Sequence, residues 1–481
     1  MHFSIPDTLE VKDDNSSSYI AYNLHVNGAF HCTVRYRQLY NLYDQLRREF
    51  GPNSLPPFPP KKLLPLTPSQ TEERRAQLEK FIQLVSQDQR IATSDVFTGF
   101  LLSAQQETQN AKEEIVSLDI HLMNWQKITI RISSLARTCT VMEAVCNALK
   151  LDEKYTSYFC IYLVSKCNND LSVERRLQDF ESAYLSLKSA GSNHFLVIRK
   201  SYWDSSFEEE LLEDKVCLNL LYVQAVSDIE RGWTRADGDS RRKLVALQAR
   251  GSKKEYLQRA KNLKFYGHIQ FRSCVCDYPQ PNTTVTISAG GRDLVFHLDS
   301  DPASENKAYF RVTRIKCWRI TTSLSDSNDS NHSSPAKLKL ELSFEYLMSK
   351  DHLRWICIRS DQAILMSVCL QGMVDELLSK RHGVKNEEKP EKTSRRGSWN
   401  YMKRDGSSHQ ISSNIGRSVS TDGIVQNANR EETNNIIGRS KGQVRKITEK
   451  FSSKHGIKNG PSSPKPLVEN DAFEGIGDDD L

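Results

Sequence analysis

The chain has 481 residues and a formal net charge of +6, and this length allows about three domains. With 38% hydrophobic and 26% charged residues, most of it is expected to be globular, and the mild basicity argues against a dedicated nucleic-acid binder. No apolar run reaches about 18 residues, so we expect no membrane span. The N-terminal residues lack the pattern of a signal peptide, and we expect the 11 scattered cysteines to be reduced thiols in a cytosolic protein.

The first 109 residues predict a small α+β unit. Residues 19–26 have the pattern of a strand, and Asn27-Gly28 is a strong hairpin signal. Residues 29–36 are then the returning strand of the hairpin. The proline-rich stretch 55–62 fits neither a helix nor a central strand. Thr67-Pro68 then provides an N-cap and a first-turn proline for the next helix.

Three further units and a tail follow. Residues 113–200 have the order strand, strand, helix, strands, as in a ubiquitin-like β-grasp unit. Residues 203–267 carry apolar side chains at helical spacing and predict a helical bundle. Residues 268–382 predict seven strands and one closing helix, the pattern of a PH/PTB-like barrel. Residues 384–481 are polar with sparse, unperiodic apolar side chains, which predicts a disordered tail.

Four residues of the first unit have the chemistry of an inositol-phosphate site. Arg35 and Tyr36 stand between a strand and a helix, Lys61 follows the prolines, and Arg74 begins the next helix. Arginine binds phosphate oxygens bidentately, and tyrosine offers a flat ring for an inositol face. Taken singly, the arginines also fit solvated helix ends, and Tyr36 also fits a core position.

In combination, these residues resemble the PX (phox homology) domain. Arg35-Tyr36, the stretch Leu55 to Lys61, and the run from Arg74 to Phe81 match the three parts of its motif. The resemblance implies binding of phosphatidylinositol 3-phosphate. It assigns the 3-phosphate to Arg35, the inositol ring to Tyr36, the 1-phosphate to Lys61, and the 4- and 5-hydroxyls to Arg74.

Three leucines follow the proline stretch. Leu63, Leu64 and Leu66 stand in a predicted loop, where apolar side chains lose free energy unless something buries them. In PX domains the corresponding loop dips into the bilayer, and the resemblance implies the same here. Packing on the domain itself is the alternative.

A β-grasp unit, a helical bundle and a PTB-like barrel in this order resemble a FERM domain. The stretches 200–204, 218–222, 228–233 and 344–351, together with the PX motif, resemble the PX-FERM sorting nexins. The resulting fold is multidomain α+β: a PX domain (1–109), FERM F1 (113–200), F2 (203–267) and F3 (268–382) lobes, and a disordered tail (384–481).

The resemblance also implies a groove for cargo peptides. A PTB-type groove adds a peptide strand to the fifth strand, beside the C-terminal helix. Trp318 lies on our fifth strand, and Val374 and Leu378 are i, i+4 on the closing helix. Family resemblance assigns these three to a groove for NPxY or NxxY/F motifs of receptor tails, with unphosphorylated ligands favoured. From the residues alone, all three also fit the core.

The end of the chain combines glycine, acidic and apolar residues like a short linear motif. The resemblance implies that this end docks onto the Retriever complex. Asn470 to Phe473 is itself an NxxF sequence, and a tether of about 85 residues would give it a high effective concentration at the chain's own groove. The motif residues are Asn470, Phe473, Gly475, Ile476, Gly477, Asp480 and Leu481.

Together these features predict an endosomal cargo adaptor. It would be a cytoplasmic monomer, peripheral on early and recycling endosomes, that returns receptors to the plasma membrane instead of lysosomes. We find no nucleotide-binding, zinc-protease or serine-hydrolase motif, and expect no enzymatic activity, cofactor, metal or nucleic-acid partner. The alternative is a lipid-recruited signalling scaffold whose β-grasp unit binds a small GTPase. A cytoskeletal linker is a weaker third possibility.

Overall fold

A computed structural model describes the chain over residues 1–12, 18–62, 64–167, 170–298, 306–324, 338–350, 352–381, 398–412 and 467–474. Within these ranges, no helix combines the length and apolar character needed to cross a bilayer. The described cysteines are free thiols.

The first unit is a small sheet covered by helices. In the sheet, β3 pairs with β1, β2 and β4. The predicted capping at Thr67 is present, because its side chain accepts a hydrogen bond from the Gln70 amide and Pro68 opens the helix. The elements are β1 (Phe3–Ser4), β2 (Thr8–Lys12), β3 (Ser18–Val26), β4 (Ala29–Arg35), α1 (Tyr36–Phe50), α2 (Pro68–Val85), α3 (Gln89–Ala92) and α4 (Asp95–Thr108).

The second unit has the predicted β-grasp order with one additional strand. Its sheet runs β6-β5-β9-β7-β8, and β5 and β9 pair in parallel. The additional strand is β8, which follows β7 as an antiparallel partner. The elements are β5 (Ile115–His121), β6 (Lys127–Ser133), α5 (Thr138–Leu149), β7 (Phe159–Cys167), β8 (Asp170–Arg176), α6 (Ala183–Ala190) and β9 (His194–Lys200).

The third unit is helical, as its apolar spacing predicts. Its longest helix begins after Asp214, whose carboxylate accepts hydrogen bonds from the amides of Val216 and Cys217. The helices are α7 (Glu208–Leu211), α8 (Lys215–Glu230), α9 (Gly238–Ala249) and α10 (Lys253–Ala260).

The fourth unit is a barrel closed by one helix, α11. The seven predicted strands are present, and a further short strand, β11, lies between β12 and β17. It has only three residues, too few to show an alternating pattern. The elements are β10 (Ile269–Gln270), β11 (Cys274–Cys276), β12 (Thr283–Gly290), β13 (Asp293–His297), β14 (Lys307–Arg311), β15 (Ile315–Leu324), β16 (Leu338–Ser349), β17 (His352–Arg359) and α11 (Ala363–Arg381).

Two described segments of the tail have regular structure. A hairpin of β18 (Ser398–Met402) and β19 (Ser408–Ser412) lies against the first unit. A two-residue strand, β20 (Val468–Glu469), pairs with β15 of the barrel. The prediction of a disordered tail is therefore wrong for these two segments.

The first unit packs against both the β-grasp unit and the barrel. On α4, Gln105 donates to the Ser186 hydroxyl at 3.0 Å and accepts from the Ser182 amide at 2.8 Å, and both contacts are buried. At the turn before β4, Gly28 has φ +81°, and a Cβ there would lie 2.8 Å from the Ile364 side chain of α11. These contacts join the first unit directly to the β-grasp unit and to the barrel.

Candidate functional site

The first candidate site surrounds the proline turn of the first unit. Tyr36 is the first residue of α1, and its hydroxyl donates to the Pro59 carbonyl at 2.7 Å. Arg74 does not begin α2 as predicted but lies in its second turn, because the helix already starts at Pro68. It donates to the Pro60 carbonyl at 3.4 Å. The turn is therefore fixed between two helices that each supply a predicted ligand-binding side chain.

The cations of this site lie over aromatic rings. The Arg74 guanidinium is 4.4 Å from the centroid of the Tyr36 ring. The Lys61 ammonium is 3.8 Å from the centroid of the Tyr40 ring. Burial raises the pKa of Tyr36, and the charge of Arg74 opposes this rise. The predicted residues Tyr36, Lys61 and Arg74 therefore meet around one turn, where two cations lie over two tyrosine rings.

Arg35 directly precedes Tyr36 in the chain, but its described side-chain contacts are not with the proline turn. Its guanidinium carbon is 3.5 Å from the centroid of the Tyr19 ring. Sequence reasoning also missed Phe58, whose ring stacks on Tyr43 at 4.9 Å, and Tyr40. A signal existed for Tyr40, because it follows Tyr36 by four residues on one helix and so shares its face.

The leucines after the proline turn differ in exposure. Leu64 is 80% exposed, whereas Leu66 is half-buried and Leu63 lies outside the described residues. For Leu64 the structure therefore disfavours the alternative of packing on its own domain. Single exposed apolar side chains are common on protein surfaces, so membrane insertion of this loop stays a prediction.

The second candidate site is the edge of β15. On one side β15 pairs with β16. On the other side the tail strand β20 pairs with it in antiparallel register, with Cys317 opposite Glu469 and Trp318 opposite Val468. The edge expected to receive a peptide strand is thus occupied by a strand of the same chain, in the manner of β-augmentation.

Asn470 fixes the segment that follows the tail strand. Its side-chain amide donates to the carbonyls of Val312 at 2.9 Å and Ile315 at 2.6 Å. Its main-chain amide donates to the Lys316 carbonyl at 3.1 Å. The side chain is buried, so it satisfies carbonyls that would otherwise be costly to bury.

A tight turn continues from Asn470 to Phe473. The Phe473 amide donates to the Asn470 carbonyl at 3.0 Å, and the Ala472 amide donates to the Asn470 side-chain oxygen at 3.0 Å. These two bonds define a β-turn supported by an Asx contact. The Glu474 amide then donates to the Thr313 carbonyl at 2.7 Å.

Apolar and ionic contacts hold the turn against α11. Ala472 is fully buried in the same apolar cluster as Val374, and Leu378 and Val468 pack at its margin. Glu474 forms an ion pair with Arg381 at the end of α11. The ion pair therefore places the tail segment beside the C-terminal end of α11, the helix that carries Val374 and Leu378.

Trp318 contributes to this site in a different way from its helix neighbours. Its side chain is only 1% exposed, and its indole nitrogen donates to the Ser367 hydroxyl of α11 at 2.9 Å. With the tail in place the indole is thus buried against α11, and the main chain of Trp318 pairs with the tail, so its assignment to the groove lining stays a prediction. The remaining residues predicted for the tail motif, Gly475, Ile476, Gly477, Asp480 and Leu481, lie outside the described residues.

Comparison with known families divides the chain as the fold does. The PX domain model matches residues 22–104. The model "Sortin nexin 17/27/31, FERM domain, F1 lobe" matches residues 116–203. The model "Sortin nexin 17/31, FERM domain, F2 lobe" matches residues 204–264, and "Sorting Nexin 17 FERM C-terminal domain" matches residues 267–378.

Full-length relatives agree with the domain matches. The chain is 42% identical to sorting nexin-17 of Danio rerio and 43% identical to sorting nexin-17 of Homo sapiens, over 100% of each pair of chains. It is 36% identical to human sorting nexin-31 over 79% of this chain and 86% of that protein. The chain therefore belongs to the PX-FERM sorting nexins, the family of sorting nexin 17 and sorting nexin 31.

Proposed function

We propose that this endosomal sorting adaptor binds phosphatidylinositol 3-phosphate through its PX pocket and NPxY or NxxY-type receptor tails along β15. It would direct these receptors to the plasma membrane instead of lysosomes, as a cytoplasmic monomer peripheral on early and recycling endosomes. The observation that carries the proposal is the tail segment at β15, because it is an N-x-x-F sequence that pairs as a strand and then turns.

The turn explains why an NPxY motif suits this groove. Asn470 occupies the first position of the β-turn and Asp471 the second. Among the described contacts, the Asp471 amide makes no hydrogen bond, whereas the amides at 470, 472, 473 and 474 all donate. Proline lacks an N–H and favours the second position of such turns. An Asn-Pro sequence would therefore preserve every described bond and stiffen the turn.

The fourth position of the motif favours an unphosphorylated aromatic ring. In the tail this position is Phe473, which is half-buried and has no hydroxyl. A tyrosine ring would occupy the same volume. The tail therefore fills this position without a phosphate, which supports unphosphorylated ligands.

Tail and cargo would compete for one site. Two strands cannot pair with the same edge of β15, so a bound receptor peptide would displace residues 467–474. Displacement would free the C-terminal residues for the Retriever complex. Release of the tail would thus couple cargo binding to recruitment of the recycling machinery.

Lipid and cargo contacts would reinforce each other. The PX pocket offers two cations and a ring around the proline turn, and Leu64 can enter the bilayer next to it. Once the pocket is bound to a membrane, receptor tails on that membrane are present at a high effective concentration. Two individually weak contacts would then suffice to hold the adaptor on cargo-rich membrane.

Calorimetric titration of the full chain with an unphosphorylated NPxY peptide tests the cargo site. Leu378→Glu places a charge at the margin of the groove and should abolish binding, whereas Ser379→Glu, the next residue of α11, should leave it unchanged. Trp318→Ala is a poor test because it also creates a large core cavity. Equal affinities of Leu378→Glu and the unmodified chain would exclude this groove as the peptide site.

A further inference from the structure

The hairpin of β18 and β19 is anchored to the PX domain by two aromatic side chains. Trp399 is 5% exposed and Tyr401 3% exposed, and both belong to the apolar core of the PX unit. The Trp399 ring lies directly over Gly99 of α4, where a Cβ atom would overlap the ring. A glycine inside a helix carries a cost in helix stability, and here it provides the space for the tryptophan.

Polar contacts also fix the turn of the hairpin. The Glu107 carboxylate accepts from the Tyr401 hydroxyl at 2.7 Å and from the Arg404 amide at 2.8 Å. The Arg404 guanidinium donates to the Thr33 carbonyl at 2.7 Å. Burial and the neighbouring Glu107 raise the pKa of Tyr401, so its hydroxyl stays protonated and can donate.

The turn places one main-chain carbonyl against the side chain of Arg35. The carbonyl of Arg404 accepts from Arg35 Nη1 at 2.7 Å, and it also accepts from Arg37. The opposite restraint on Arg35 is the Tyr19 ring. The side chain expected to bind the 3-phosphate is thus held between a ring of β3 and a carbonyl that lies 369 residues away in sequence.

We propose that the hairpin Ser398–Ser412 is a working part of the PX domain, and that the Arg404 carbonyl positions Arg35 for a 3-phosphate. This inference rests on the proposed lipid-binding function. A guanidinium has five N–H donors and a bidentate phosphate uses two of them, so the carbonyl and the phosphate are compatible partners. Holding a flexible arginine before binding removes part of its ordering cost.

Gly99→Ala in the full chain undocks the hairpin with the smallest change to the PX domain. Alanine favours helix α4, while its methyl group excludes the Trp399 ring. We expect calorimetry with soluble dibutanoyl phosphatidylinositol 3-phosphate to show roughly three- to tenfold weaker binding. We also expect faster trypsin cleavage after Lys403 and Arg404. Trp399→Ala removes the same anchor from the hairpin side and should reproduce both results if Gly99→Ala fails to fold.

A double-mutant comparison separates positioning from a purely structural role. Arg35→Lys keeps the charge but loses the bidentate geometry, so adding Gly99→Ala to it should cause no further loss of affinity. The same loss in both backgrounds would show that the hairpin does not act through Arg35. Tighter binding by Gly99→Ala would show that the carbonyl competes with phosphate, and would also overturn the proposal. Failure of the unmodified chain to bind the headgroup would overturn the lipid function together with this inference, whereas the other outcomes leave that function intact.

Discussion

Removing the side-chain amide of Asn470 should open the cargo groove. We call the chain closed when the tail occupies the groove and open when the tail has left it. In the closed chain this side chain makes three hydrogen bonds, to the Val312 carbonyl, the Ile315 carbonyl and the Ala472 amide. All three are buried, so Asn470→Ala leaves the Val312 and Ile315 carbonyls and the Ala472 amide without this partner whenever the tail stays bound. The substitution should therefore shift the chain towards the state in which the tail has left the groove.

The size of the shift follows from the number of bonds. A buried hydrogen bond contributes about 1 kcal/mol net, so three correspond to about 3 kcal/mol. This lowers the closed-to-open ratio by a factor of about 100. The apparent dissociation constant of a cargo peptide is its intrinsic value divided by the open fraction. Cargo affinity should therefore increase until it equals that of a chain without residues 467–481.

Fluorescence anisotropy of a labelled NPxY peptide measures this change in the full chain. Asn459→Ala is the matched control, since it removes the same side chain elsewhere in the tail and should leave the affinity unchanged. Unaltered affinity in Asn470→Ala would mean that the described tail contact does not compete with cargo. Weaker affinity would mean that the tail assists binding, and either result would refute the reasoning.

Three further predictions concern the membrane surface, the lipid pocket and a buried ion pair of the β-grasp unit. Leu64→Asp should weaken binding to vesicles containing phosphatidylinositol 3-phosphate about tenfold or more without changing affinity for the soluble headgroup; a parallel loss of both would exclude membrane insertion. Arg74→Gln should weaken headgroup binding in calorimetry about 10- to 100-fold, and normal binding would remove Arg74 from the pocket. Glu181 is buried and pairs with Arg175 at 2.6 Å, so Glu181→Gln should cost about 3–5 kcal/mol in urea unfolding at neutral pH. Burial opposes ionisation of Glu181, yet Arg175 holds its pKa below the ordinary value. Its contribution to the free energy of unfolding should therefore be complete above the unfolded-state pKa of about 4.3 and should fade as the pH falls further. The same dependence of stability on acid pH in the unmodified chain and in Glu181→Gln would contradict this assignment.

Local patterns predicted most of the architecture. Asn27-Gly28 marks the turn between β3 and β4, and Thr67-Pro68 marks the start of α2, because turn and cap geometry depend on neighbouring residues. The longer strands of the barrel could also be predicted, because the pattern of a strand lies in neighbouring residues. The three-residue strand β11 was not, since its pairing with β12 and β17 comes from tertiary context.

The sites were predicted less completely, because long-range contacts define them. The motif identified Tyr36, Lys61 and Arg74, which the fold gathers around one turn. It gave no sign that Arg35 contacts Arg404, because the hairpin is embedded in a polar tail with little periodicity. Trp318 is on the expected strand, but whether an indole faces a groove or a core depends on the packing of α11. The NxxF sequence, in contrast, was sufficient to suggest that the tail can enter the groove.

The central claim is that tail and cargo share the edge of β15. Titration calorimetry of an unphosphorylated NPxY peptide into the full chain, beside a chain that ends at Pro466, tests it most directly. The account predicts one peptide bound per chain in both cases, with clearly tighter binding by the truncated chain. Equal affinities would contradict competition by the tail, and no binding by either folded chain would contradict the cargo site itself.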